Sequence, residues 1–408
     1  MSGRGSMFER KRFLAVFLAL ALGLMLAVFV SGKPASGAGT LPAGFTQTRF
    51  ADGLVSPTAM AFAPDGRLYV AEQRGTLRVV DQTGQLQEKP FFDVSGKVSP
   101  VGERGLLGVA FDPAFATDNY VYVYYTLADG TTPVHNCVAR FTATVDGSGN
   151  VVAAAGSERP IFDLPSLGAT NHNGGAIHFG NDGKLYVAVG ENGRPAEAQS
   201  LNSLLGKMLR INKDGTIPAD NPFFNATTGD NKAIWALGLR NPYSFDLQPG
   251  TGRIFINDVG QNTWEEINDG IAGTNYGWPY YEGPATYQAP PRKGKHGHKK
   301  HGKRGASPYT GPLLYAYSHG AGCAITGGAF YDPQTLRFPP EYEGDYFFAD
   351  FCAGWIDRFD PGTKQATTFK SASDEQPVDL KVSEGGDLYF LARGTGSVEK
   401  ISYTPPTA

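Results

Sequence analysis

The chain lacks most signatures that would assign its chemistry directly. No GxGxxG follows a strand pattern, so a nicotinamide site of the Rossmann type is not indicated, and there is no Walker A motif, no GxSxG and no HExxH. An oxidoreductase on this chain needs a different cofactor, and a hydrolase a different nucleophile. Charged residues make up only 18% of the 408 residues and the formal net charge is −3, so no global field points to nucleic acid. Three cysteines are present, Cys137, Cys323 and Cys352, and none forms a CxxC pair, which argues against a zinc knuckle. Helical signals are sparse. Residues 195–205 hold a turn or two before Gly206, and little else has helical period.

What is abundant is glycine and proline, 53 and 28 residues, together with aromatics at 12%. This composition fits many turns and short strands rather than long charged helices. One phrase, a turn followed by a short aromatic strand, recurs six times: GRLYVA (66–71), NYVYVYY (119–125), KLYVAVG (184–190), RIFIND (253–258), DYFFAD (345–350) and DLYFLA (387–392). The copies are spaced by roughly 40 to 90 residues, room for the further strands of a propeller blade. A preceding strand is visible at 58–62, 105–111, 175–179 and 243–247. The expected fold is all-β, a six-bladed β-propeller over residues 40–408. A β-sandwich does not explain the repeated phrase.

The N-terminus carries Arg4, Arg10, Lys11 and Arg12, then eighteen uncharged residues (13–30), then small residues in SGKPASGAG (31–39). Residues 1–39 therefore read as a signal peptide or an N-terminal anchor, and the small residues after the apolar run favour the signal. Either reading puts the folded part outside the cytoplasm, secreted or extracytoplasmic (periplasm or cell surface). Export favours one disulfide. Cys323 and Cys352 each lie beside a Gly-rich turn of one repeat and are the expected pair, with Cys137 a buried apolar residue. Residues 284–308 read as a disordered insertion, centred on RKGKHGHKKHGKR (292–304), with seven Lys or Arg and no acid. Without those seven charges, 29 Lys and Arg face 39 Asp and Glu, so the loop is a basic arm on an acidic body. A solvated loop is the plain reading. Binding to an anionic glycan or surface, or to a metal through His296, His298 and His301, is the sharper one.

Four stretches stand apart from the scaffold. They are 103–108 (ERGLLG), 171–192 (NHNGGAIHFGNDGKLYVAVGEN), 238–242 (GLRNP) and 258–283, which holds Gly260-Gln261, Trp264-Glu265-Glu266 and Asn275-Tyr276-Gly277-Trp278-Pro279. In a propeller, inner-strand ends and their loops converge on the central channel, so residues remote in sequence meet. His172 serves as a general base near neutral pH, Arg240 as a fork for a carbonyl or carboxylate, and Glu266 with backbone oxygens as hard ligands for calcium. Taken singly, each has a structural reading: a turn histidine, a strand cap, a pair of solvated glutamates.

In combination these stretches resemble the soluble quinoprotein sugar dehydrogenases of the glucose/sorbosone dehydrogenase family. The resemblance covers residues 45–403 apart from the basic insertion. It is carried by ERGLLGVAFDPAF (103–115), HNGGAIHFGNDGKLYVAVGENG (172–193), GKMLRINKDGTIPADNPF (206–223), GLRNP, VGQNTWEEIN (259–268) and NYGWP. CAITGG and DYFFADFCAG look like a branch that includes Hedgehog-interacting protein-like propellers.

The resemblance implies a six-bladed propeller and an enzyme that oxidises an aldose or related alcohol with pyrroloquinoline quinone and Ca2+. The partners it implies are the small-molecule sugar or alcohol and an external electron acceptor, with contact to a membrane only through residues 1–39. It makes His172 the base for the sugar hydroxyl and Glu191 the acid behind it. Arg240 and Asn241 become contacts to the quinone carbonyls. Gly260 and Gln261 become backbone ligands of one calcium, and the Glu266 side chain with the Tyr276 carbonyl ligands of a second. The chain departs from the pattern in several places. Glu191 stands where the family usually has Asp. Glu103, at the cofactor, stands where the glucose enzymes have Gln. Cys352 replaces an expected lysine, and Gln376-Pro377-Val378 replaces arginines that meet the cofactor's carboxylates. The alternative reading is a non-catalytic propeller that binds a glycan or a protein.

Overall fold

The computed structural model describes residues 39–288 and 311–406. The expected signal or anchor and the basic stretch 292–304 lie outside them. Six antiparallel sheets of four or more strands follow one another along the chain. Each starts with an inner strand and steps outward. The inner strands are Pro57–Phe62, Leu106–Phe111, Ile177–Phe179, Pro242–Leu247, Ile325–Phe330 and Pro377–Val382, for blades one to six. The repeated aromatic phrase forms the second strand of every blade: Leu68–Glu72, Tyr120–Leu127, Leu185–Val189, Ile254–Asp258, Tyr346–Asp350 and Leu388–Ala392. The expected six-bladed propeller is the fold.

The phrase is apolar at almost every position because both faces of that strand are buried. Successive side chains of a strand point to opposite faces, and each face packs in a different seam. Tyr69 and Ala71 enter the cluster shared with blade two, alongside Val121, Val123 and Tyr125. Leu68 and Val70 enter the cluster shared with blade six, alongside Tyr389 and Leu391. The other four seams are built in the same way.

The ring closes with strands from the two ends of the described chain. Phe45–Ala51 pairs antiparallel with Ser397–Tyr403 and becomes the outer strand of blade six. This pairing has no signature in the sequence. Pro195–Gln199 is one 3-10 helix, the short helical turn expected there. Ala285–Thr286, at the start of the segment expected to be disordered, pairs with Tyr281–Glu282 in a small hairpin. Among the described residues no helix is long and apolar enough to cross a membrane.

Cys323 and Cys352 are joined, with Cα atoms 5.7 Å apart, and Cys137 is free and buried. The bridge ties the segment entering the inner strand of blade five to the end of its second strand. Asp350 reinforces it. Its carboxylate accepts the N–H groups of Cys323, Ala324, Cys352 and Ala353 at 2.8–3.0 Å and the Tyr317 hydroxyl at 2.8 Å.

Candidate active site

The inner strands of all six blades line one central cavity of about 300 Å3, at the lower end of the range for small-molecule sites. Its mouth lies at the N-terminal ends of the inner strands, where Glu103, Asn173, Gly174, Asn241, Gln73, Phe351 and Arg393 meet. Deeper, the lining includes Tyr243, His178, Asp379 and Lys381. His178 is held well below the usual histidine range by burial and by the Lys381 charge, so it is neutral near pH 7.

His172 sits directly behind the cavity lining, between Glu103 and Glu191. It adopts the left-handed conformation, φ 54°, which non-glycine residues rarely take. There its carbonyl accepts the Asn192 N–H at 3.1 Å, its own N–H donates to Glu103 Oε2 at 2.7 Å, and its Nδ1 bonds Glu191 Oε1. The turn tolerates no side chain at Gly190, where a Cβ would lie 2.2 Å from the His172 carbonyl oxygen. Glu191 is 1% exposed. Its Oε1 also accepts the Gly193 N–H at 3.2 Å, and its Oε2 is buried without a partner. With Glu191 Oε1 accepting the Nδ1–H, the Nε2 lone pair is left free, the tautomer a base requires.

Glu191 is bonded in turn to the third stretch, through its N–H to the Arg240 carbonyl at 2.8 Å. The Arg240 and Asn241 N–H groups both point at the Asp258 carboxylate, at 2.9 and 2.7 Å. The Arg240 guanidinium donates from Nε and Nη2 to Gln261 Oε1 and from Nη1 to the Val259 carbonyl, and it faces Trp278 with 5.6 Å to the ring centroid. Two of its five N–H donors remain. Asn241 Oδ1 accepts the Gly174 N–H at 3.0 Å, which turns its Nδ2 to the cavity it lines. Of the expected residues, Glu103 and Asn241 line the cavity, whereas His172, Glu191 and Arg240 stand directly behind it, bonded to one another and to those that do.

Glu265 and Glu266 are buried, not solvated. Glu265 bonds His319 Nε2 at 2.7 Å and accepts the Ile325 N–H at 2.9 Å, and burial pushes its carboxyl up to about 8. Glu266 accepts from Asn268 Nδ2 at 3.0 Å and from the Gly283 N–H. Burial raises its carboxyl, and its cross-strand partner Asp258 is raised too, by burial and then by Glu266 itself. Glu282 Oε1 gathers four successive N–H groups, of Gln261, Asn262, Thr263 and Trp264, at 2.8–3.2 Å. Burial opposes its charge, but these four donors hold it below the usual range. They also fix the loop that carries Gly260 and Gln261. Tyr276 is buried, its hydroxyl donating to the Asp269 carbonyl at 2.6 Å.

Two buried oxygens beside Glu266, Asn268 Oδ1 and Glu282 Oε2, have no partner. Unsatisfied buried oxygens next to a carboxylate are a donor set that fits a hard cation. Among the described residues no three His, Cys, Asp or Glu side chains form a metal cluster, so a calcium ion here would need backbone and amide oxygens besides the Glu266 and Glu282 carboxylates.

The sequence reading passed over Gln73 and Arg393. Each immediately follows the second strand of its blade, as do Val259 and Phe351, and all four line the cavity. The end of the repeated phrase was the signal that could have found them.

The glucose/sorbosone dehydrogenase family model matches residues 54–398. The chain is 32% identical over 229 residues to aldose sugar dehydrogenase YliI of Escherichia coli (strain K12), covering 56% of this chain and 60% of that protein. It is 32% identical over 259 residues to quinoprotein glucose dehydrogenase B of Acinetobacter calcoaceticus, covering 56% and 51%. To the Hedgehog-interacting protein of Mus musculus it is 28% identical over 210 residues, covering 47% and 30%. Among solved structures, the PQQ-bound aldose sugar dehydrogenase of Streptomyces coelicolor superposes with a TM-score of 0.68 at 26% identity, over 90% of this chain and 100% of that one. The chain spans between 30% and 60% of the length of these three curated relatives.

Proposed function

The chain belongs to the glucose/sorbosone dehydrogenase family, and from that premise we propose that it is an exported quinoprotein dehydrogenase that oxidises an aldose or a related alcohol. The observation that carries this reading is the His172–Glu191 pair directly behind the lining of the channel cavity, next to Asn173 and Gly174, which line it. When bound, pyrroloquinoline quinone supplies the acceptor for the hydride leaving the substrate carbon. His172 Nε2 takes the proton of the hydroxyl on that carbon. Glu191 holds the imidazole in the required tautomer and stabilises the imidazolium that forms. The two remaining N–H groups of Arg240 and the Nδ2 of Asn241 would hold the quinone carbonyls and stabilise negative charge on them. Glu103 orients the His172 backbone through its N–H. Gly260 and Gln261, with backbone oxygens, would hold calcium beside the cofactor, and Glu266 with the Tyr276 carbonyl a structural one. A disulfide-bonded propeller suits an oxidising compartment.

The similarity to Hedgehog-interacting protein and the loss of cations at 352 and 376–378 favour a second reading, a propeller that binds a glycan or protein without redox chemistry. Dye reduction by the purified protein with quinone and calcium in excess, across a panel of sugars and alcohols, separates the two. Quinone-dependent turnover that disappears in His172→Ala supports the dehydrogenase. No turnover with any substrate leaves the binding propeller.

A further inference from the structure

Pyrroloquinoline quinone is a tricarboxylate, and a cavity of about 300 Å3 that takes it must supply positive charge from its own lining. The cavity is lined by two cations, Lys381 and Arg393, and by two acids, Glu103 and Asp379. Lys381 is already neutralised: its Nζ lies 2.7 Å from Asp379 Oδ1. Arg393 is not. Among the described residues it has no carboxylate within ion-pair distance, and its guanidinium is held only by neutral oxygens. Nη1 donates to the Ser56 and Pro57 carbonyls at 2.9 and 3.0 Å, and Nη2 to Gln73 Oε1 at 2.5 Å. These contacts use three of its five donors and keep the full charge. The Gln73 amide in turn donates to the Gly102 and Arg104 carbonyls at 2.7 and 2.8 Å, so the guanidinium is braced against the loop that carries Glu103. Its backbone N–H donates to the Gln376 carbonyl at 3.1 Å. Arg393 therefore lies directly across the blade from the segment 376–378, which carries no charge of its own.

From this uncompensated, braced cation we propose that Arg393 binds a carboxylate of the cavity's anionic aromatic occupant, doing from the end of the second strand of blade six what no residue of 376–378 can do. The proposal rests on the quinone reading for the identity of that occupant. A bland role is also available to Arg393, since its Nη1 bonds tie blade six to blade one, and the test must tell the two apart.

The test is calorimetric binding, with calcium present, of three probes to wild type, Arg393→Ala and Arg393→Lys. The probes are the quinone, its trimethyl ester, which has the same rings without the charges, and pyridine-2,6-dicarboxylate, which has the charges without the quinone. The expected result is quinone affinity about 10- to 100-fold weaker in Arg393→Ala, the range of one charged hydrogen bond, partial recovery in Arg393→Lys, and ester affinity equal in all three proteins. Equal quinone affinity in wild type and Arg393→Ala overturns the proposal and leaves the quinone reading standing. So does a loss that falls equally on acid and ester, which marks a structural tie between blades. If the quinone fails to bind wild type but the dicarboxylate binds it and not Arg393→Ala, the cation site stands and the quinone reading falls. If neither anion binds wild type, both fall.

Discussion

Replacing Glu191 by Gln and by Ala should give rate losses of different size, and the structure says why. Glu191 Oε1 receives two donors, the His172 ring and the Gly193 N–H, whereas Oε2 is buried and unpartnered. A glutamine in this place can turn its oxygen or its NH2 toward the imidazole. With NH2 inward it would force the wrong tautomer, but it would also set an N–H against the Gly193 N–H. The backbone donor therefore selects the orientation with oxygen inward, and Glu191→Gln keeps the base-competent tautomer. What it loses is the negative charge opposite the imidazolium. A hydrogen bond to a charged group is worth about 1.5–3 kcal/mol and a neutral one about 0.5–1.5; the difference, about 1–1.5 kcal/mol, lowers kcat about 5- to 12-fold. Glu191→Ala removes orientation as well as charge, and its loss belongs with that of a missing base, about 10²–10⁴-fold. Quinone affinity changes little in either, since Glu191 is buried and acts through the His172 ring. Steady-state dye reduction with saturating quinone and calcium reads the rates. Glu191→Gln with wild-type turnover, or as slow as Glu191→Ala, would refute the reasoning about Gly193.

Three further outcomes are expected. Replacing both Cys323 and Cys352 with Ser opens a bridge spanning 29 residues; the chain-entropy relation gives a loss of about 3–4 kcal/mol, to be read from denaturant midpoints, and the Asp350 bonds to both segments should keep quinone affinity within a few-fold of wild type. Burial pushes the Asp246 carboxyl up to about 6, so the folded protein keeps a proton that the unfolded chain releases near the ordinary value. Its contribution is then complete below that value and is lost as pH rises through about 6; Asp246→Asn should flatten this fall, on the order of 1–3 kcal/mol, in denaturation series taken across it. Added calcium should raise the melting temperature of the wild-type protein, by the equivalent of about 2.7 kcal/mol at one hundred times its Kd, and Glu266→Gln should diminish the response without abolishing quinone binding.

The scaffold was legible in the sequence because every blade buries its second strand on both faces. That demand writes a continuous apolar phrase between two turns, and six copies give six blades. Outer strands left no such trace. They are half exposed, as the alternation in Phe45–Ala51 shows, and their pairing is settled by which chain ends meet. The candidate site was legible where a motif stands apart from the scaffold phrase: a histidine with glycines after it, an arginine before Asn-Pro. Glu265 and Glu266 were ambiguous for a physical reason. Adjacent glutamates on a strand face opposite ways and read as solvated, and only the fold shows that both are enclosed, Glu265 against the start of blade five and Glu266 by Asn268 and the loop of Gly283. Arg393 was hidden because it follows an ordinary copy of the scaffold phrase. Its meaning comes from where that copy ends.

That position explains how residues from all six blades hold a common geometry although they lie far apart in sequence. Each second strand ends at the mouth, and each following inner strand starts there, so main-chain and side-chain bonds can run around the rim. Arg393 of blade six donates to Gln73 of blade one, and Gln73 donates to the loop of Glu103 before blade two. Glu103 accepts the N–H of His172 before blade three. Glu191 at the end of that blade's second strand donates to the carbonyl of Arg240 before blade four, whose N–H points at Asp258. Glu265 of blade four accepts the N–H of Ile325 of blade five. Most of these links end on backbone groups. The positions of His172, Arg240 and Arg393 are therefore set by the register of the blades and by the rim side chains that accept these N–H groups.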